Sequence, residues 1–270
     1  MWALEGRLVP TPRGLLAGTP YALLIVLAAL LAAVRVFGGG LPPGAWPLAV
    51  VTTGHAALLG TALGWAAADA GWDARAAQAV TVALLVAAAV ATLVDSRGAF
   101  VYIANGGWLV WLAGRGRLAA LGVRPVTVTK ALAGVAVGAL LGGHLWLTAS
   151  RTLAYGARDD GVVPYLAAVA YDVGANVPSG EGFFRGALFG RLQRRMSFAA
   201  AAALASAASL FRYLTDPRLP GTLEVVAGAL LYVVLLSLAG AWLLRWSGSL
   251  VPGLGASLAF FAAYRLLVMP

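Results

Sequence analysis

The chain has 270 residues, of which 61% are hydrophobic and only 11% charged. A soluble domain carries about 25% charged residues, so this composition excludes a water-soluble fold and points to an integral membrane protein. Nineteen Lys and Arg against ten Asp and Glu give a formal charge of +9. The basic residues gather in short connections, where they set membrane orientation, and no basic–aromatic strip suggests a nucleic-acid partner.

A membrane-crossing helix needs about 20 mostly apolar residues. The near-continuous apolar runs predict an all-α, polytopic transmembrane bundle, since barrel strands would alternate. In chain order the expected helices cover residues 21–37, 46–68, 76–94, 99–113, 131–150, 162–184, 197–214, 225–244 and 250–268. The two flanking Asp95–Gly98 are short enough to form one re-entrant hairpin, so about eight spans are expected, give or take one. Arg7 and Arg13 precede the first run; the chain stays apolar to its end, so that run reads as a first transmembrane helix rather than a signal sequence.

Nine alternating helices place three basic groups on one side: Arg7 with Arg13, Arg115 through Lys130, and Arg191 with Arg194 and Arg195. The positive-inside rule makes that side, and the N-terminus, cytoplasmic. The uncharged segment 38–45 then lies outside. The Arg115–Lys130 connection reads as a basic loop rather than an interfacial helix. The abundant Gly and Ala permit close helix approach in lipid. Arg35, at the end of the first helix, reads as a snorkelling side chain.

The chain has no cysteine, which removes disulfides, thiolate metal sites and a cysteine nucleophile. His55 and His144 are far apart and match no metal-binding spacing, and no phosphate loop is present. No metal or other cofactor is therefore expected. A lone histidine on an apolar helix is read as hydrogen-bonded to a neighbouring helix.

The stretch PSGEGFFRGALFGRL, residues 178–192, places Glu181 and Arg185 four residues apart inside an apolar region. Residues at i and i+4 share a helix face. A charge within a membrane segment costs about 2.5–3.5 kcal/mol on insertion scales, so it marks a candidate functional site. Two readings stand at this point: a structural ion pair, or a carboxylate held in a cavity to activate water or bind a cation. Asp172 and Asn176, upstream on the same helix, are placed to line that cavity.

EGFFRGALFGRL resembles the first motif of the CPBP intramembrane protease family, which includes the type II CAAX prenyl endopeptidases and the bacterial Abi-type proteins. Glu181 matches the motif's second glutamate and Arg185 its arginine, with Phe184 and Gly186 as neighbours. SLFRYLTD resembles the second motif through Phe211, and SGSLVPGLGASLAFF resembles the third over residues 247–256. The resemblance spans residues 162–268 and implies N-terminal transmembrane helices over 1–160, followed by a CPBP-like core over 161–270. It also shows what is missing. The family's first glutamate, its water-activating group, falls on Gly180; the second-motif histidine falls on Thr215; the third-motif histidine and asparagine fall on Ser257 and Phe261.

Amide hydrolysis needs a base near neutral pH and donors at the developing oxyanion. Thr215 and Ser257 can donate hydrogen bonds but cannot serve as that base, and Phe261 can do neither. Glu181 is the one carboxylate left. The resemblance thus implies a non-cleaving relative that binds a membrane-tethered or prenylated peptide, or a partner membrane protein, in a prokaryotic plasma membrane. The alternatives are a divergent endopeptidase using Glu181, or a small transporter or channel component with Glu181, Arg185 and Asp172 at its site. Arg212, next to Phe211, is expected to pair with Glu181 or Asp172.

Overall fold

A computed structural model describes residues 14–152, 155–217, 219 and 222–268. Arg7 and Arg13 lie outside the described residues. Nine helices account for most of what is described. They are α1 (Tyr21–Phe37), α2 (Ala45–Ala70), α3 (Arg75–Val94), α4 (Tyr102–Gly114) and α5 (Val128–Thr152). A long helical run over residues 162–193, α6, follows, then α7 (Phe198–Leu214), α8 (Leu223–Ser247) and α9 (Val251–Tyr264).

Among the described residues, five helical stretches are long and apolar enough to cross a bilayer: 21–40, 45–70, 75–94, 128–152 and 226–247. At about 1.5 Å per residue, the 26 residues of α2 reach roughly 39 Å. The 13 residues of α4 reach only about 20 Å, short of the roughly 30 Å hydrocarbon core. A six-residue 3₁₀ turn, Ser96–Val101, joins α4 to α3, and the Asp95 side chain caps it by accepting from the Arg97 amide.

Two boundaries differ by more than three residues from the expected ranges. The expected helix 162–184 continues to residue 193, because FRGALFGRL is apolar enough to stay wound. The expected helix 250–268 stops at Tyr264; Leu267–Val268 instead forms a short strand (β2) paired antiparallel with Gly156–Ala157 (β1).

Close helix contact depends on missing side chains. On α5, a Cβ on Gly134 would overlap the Pro252 carbonyl, and one on Gly138 the Ala256 carbonyl. Gly142 meets Phe260 and Ala263 in the same way. The three recur every fourth residue, so one bare stripe lets α9 lie directly on α5, the packing device of lipid-embedded helices.

The two basic groups that fall within the described residues, Arg115 through Lys130 and Arg191 with Arg194 and Arg195, share one end of the bundle. Arg191 donates to the Leu15 and Ala17 carbonyls at 2.7 and 2.8 Å and to Asp69 at 3.0 Å. Arg194 reaches the other oxygen of Asp69 at 3.3 Å. Lys130 lies over the Trp246 ring and Arg117 over that of Trp72. At the opposite end Arg35 covers Trp46. The Arg115–Lys130 connection is a loop, as expected. Between α4 and α5 the one helical piece is the 3₁₀ turn Ala119–Leu121; Leu118 and Leu121 are buried against the bundle there.

Candidate functional site

α6 is not a uniform α-helix. It is α-helical over Val162–Tyr171, Val177–Gly180 and Gly190–Gln193, and π-wound over Asp172–Asn176 and Glu181–Phe189. π segments are rare and frequent at functional sites. Here the winding takes in both halves of the polar site, the Asp172–Asn176 group and the Glu181–Arg185 pair.

Glu181 and Arg185 are 3% and 4% exposed. Arg185 Nη2 lies 3.5 Å from Glu181 Oε1 and donates to Ser237 Oγ of α8 at 2.7 Å. Its Nη1 donates to Ser209 Oγ of α7 at 3.2 Å. From α9, the Ser257 hydroxyl donates to Glu181 Oε1 at 2.7 Å. Three helices thus converge on one pair of charges. Glu181 Oε2 and Arg185 Nε have no hydrogen-bond partner among the described residues. Oε2 faces Gly240 and Gly253, where an added Cβ would stand 3.4 and 3.3 Å from it.

These groups line a cavity of about 30 Å³ together with Asn176, Gly180, Arg212, Tyr213 and Phe261. A water needs about 10–15 Å³ on that measure. The space holds about two waters, enough to satisfy the two orphan atoms, and does not admit a peptide. Phe261 forms a wall of it, stacked on Tyr213 with centroids 6.0 Å apart.

Of the positions aligned with the family's catalytic groups, Gly180, Glu181, Arg185, Ser257 and Phe261 therefore share one cavity. Thr215 does not. It is exposed at the end of α7 and donates to the Phe211 and Arg212 carbonyls. Phe211 is 70% exposed. The cavity-facing residues of α7 are Ser209, Arg212 and Tyr213, at i, i+3 and i+4, so a residue two positions past Tyr213 points away.

Arg212 pairs with neither expected carboxylate. Its Nη1 donates to Asn176 Oδ1 at 3.3 Å, and Nη2 lies 3.4 Å from both ring nitrogens of His55. Asp172 is already taken by Arg265, through two bonds of 2.8 and 2.9 Å, and by Asn176 at 2.9 Å. Asn176 lines the cavity and Asp172 does not.

His55 crosses from α2 to α6. Its Nδ1 lies 2.6 Å from Ser179 Oγ and its Nε2 2.7 Å from the Tyr171 hydroxyl. Ser179 donates its proton to the Asn176 carbonyl, so His55 Nδ1 is assigned as the donor to Ser179 and Nε2 as the acceptor from Tyr171. The Nε2 lone pair is thereby occupied, and His55 does not supply the base that Gly180 lacks. His144 bonds the Tyr232 hydroxyl at 2.7 Å. Both histidines tie helix to helix, as expected.

Sequence reasoning passed over Ser237, Ser209 and Arg265. Ser237 had a signal: it is a lone polar residue within the apolar run of α8. Ser209 stands two residues before Phe211. Arg265 follows the last helix and carried no motif.

A polytopic helical protein with a buried Glu–Arg pair on a π-wound helix is the class that fold and site define. Residues 163–261, from α6 to α9, match the family model described as type II CAAX prenyl endopeptidase Rce1-like. The C-terminal half thus carries an Rce1-like (CPBP) domain over residues 163–261. Neither a curated protein nor a solved structure matches the chain.

Proposed function

We propose that this chain is a non-hydrolytic member of its family, a membrane protein that binds a membrane-tethered peptide or partner helix without cutting it. The observation that carries the reading is the state of its one motif carboxylate. Glu181 Oε1 is held by Ser257 and Arg185 in a space of about two waters, and Gly180 stands beside it where a second carboxylate is expected. A general base must reach the proton it abstracts. Glu181 instead serves as the counter-charge that lets Arg185 join α7 and α8 to α6. We further propose that the nine helices cross the bilayer as eight or nine spans, with the basic end and the N-terminus cytoplasmic. The N-terminal helices, 1–160, would support the 161–270 core.

One observation favours hydrolysis by Glu181: its Oε2 is unpartnered beside water-sized space. The two readings separate in one assay. The protein is reconstituted with a membrane-tethered prenylated peptide, and products are followed by mass spectrometry alongside peptide retention. The expected result is retention without cleavage. Cleavage by the wild type that Glu181→Gln abolishes would overturn the proposal.

A further inference from the structure

Away from the Glu181 cavity, two further cavities lie on either side of Leu121 along α6. The first is an apolar slot of about 340 Å³ between α2, α4, α6 and α9, walled by aliphatic side chains such as Leu59, Leu63, Leu121 and Leu254. On α4, Ile103 and Val110 line it and are also 50% and 73% exposed, so it opens on the lipid-facing flank of the bundle. The second, about 120 Å³, lies at the basic end and is lined by Arg124, Gln193 and Arg194. Leu121 is a wall of both. The order along α6 is the same: Gly182 borders the slot, Gly186 packs against the Leu121 carbonyl, and Gly190 borders the basic cavity.

We propose that an anionic phospholipid occupies this pair of cavities, with one acyl chain in the slot and its phosphate between Arg124 and Arg194. Aliphatic walls offer water no hydrogen-bond partners, and left empty they lose dispersion contacts. The bilayer supplies the acyl chain that fills it. The head group is selected by charge. Asp69 is the carboxylate that Arg194 contacts, and it also serves Arg191, so two arginines share one acid and the cluster stays net positive. Arg124 is exposed, with a weak contact from Nε to the Ala119 carbonyl at 3.4 Å. Guanidinium matches phosphate geometry and charge. This assignment does not depend on whether the protein cleaves peptides.

The full chain is placed in phosphatidylcholine nanodiscs doped with phosphatidylglycerol, and retained lipid is counted by native mass spectrometry after release into detergent. Phosphatidylglycerol is expected to be retained about tenfold over phosphatidylcholine. Arg124→Ala with Arg194→Ala should bring that ratio close to one. Arg124→Ala alone, at an exposed side chain with one weak contact, should lower it part of the way. Gly107→Phe, at a slot-lining position where an added Cβ meets no atom within 4 Å, should reduce retention of both lipids. Equal retention by the wild type, a ratio unchanged in both arginine variants, or complete displacement of the lipid by inorganic phosphate would overturn the proposal.

Discussion

Ser257 and Glu181 lie 76 residues apart in sequence and 2.7 Å apart in space, hydroxyl to carboxylate, at the centre of the bundle. That bond, with Arg185 on the same oxygen, makes the pair a fastener between α6, α7, α8 and α9. Removing one member of a buried ion pair costs about 3–5 kcal/mol, because the other charge is left uncompensated. Glu181→Ala is therefore expected to destabilise the protein by that amount, with Arg185 stranded between Ser209 and Ser237. Adding Arg185→Met should recover part of the loss. Ser257→Ala, which removes one hydrogen bond to a charged group, should cost about 1.5–3 kcal/mol. Unfolding followed in mild detergent gives the cycle; simple additivity of the Glu181 and Arg185 changes would show that the two do not act as a pair.

The His55 bridge makes a graded prediction. Tyr171→Phe removes one hydroxyl and leaves the bond to Ser179, at a cost of about 1 kcal/mol. His55→Ala takes away the partner of two buried hydroxyls and leaves a void between α2 and α6. About 2–4 kcal/mol is expected from the combined polar and cavity terms. Thermal melts of the two variants in one detergent compare them directly. An equal loss from both would show that the Tyr171 hydroxyl, rather than the imidazole, carries the bridge.

Most helices were legible because hydropathy alone marks them: the expected 21–37 coincides with α1 and 76–94 differs from α3 by one residue. The Glu181–Arg185 pairing was legible too, since i and i+4 share a helix face. The partners were not. Ser209, Ser237 and Ser257 come from three helices whose rotation about their axes is set by packing, which no local pattern encodes. Motif spacing put Thr215 in the cavity, whereas helix phase turns it outward and brings in Arg212 and Tyr213. Asp172 went to Arg265, a residue just beyond a helix end, which spacing rules do not connect. The π winding of α6 has no sequence signal of its own.

The α5–α9 contact offers a paired test. Gly138→Val would drive its side chain into the Ala256 carbonyl, an atom on rigid helical backbone that cannot rotate aside. A loss of about 3 kcal/mol or more is expected, visible as poor membrane expression and early unfolding. Gly143→Ala, on the same helix with no atom within 4 Å of the new Cβ, should be neutral or slightly stabilising. If the two behaved alike, the bare stripe would not be what joins the helices.

Gly180 gives the sharpest test of how far this site stands from catalysis. It lies in an α-helical turn, and a Cβ there would meet nothing within 4 Å. Glycine in a helix interior costs about 0.5–1 kcal/mol relative to alanine, so Gly180→Ala should raise stability by about that much. Gly180→Glu would restore the family motif's first carboxylate beside a cavity that Arg185 and Arg212 also line. It should nonetheless give no peptide cleavage above a Gly180→Gln control in the mass-spectrometric assay. The histidine that should partner such a carboxylate is missing: Thr215 faces outward at one aligned position, Ser257 is bound to Glu181 at another, and His55 has its Nε2 engaged by Tyr171. Turnover by Gly180→Glu alone would mean that a single substitution separates this chain from an active protease, and that the remaining polar groups already suffice to stabilise the transition state.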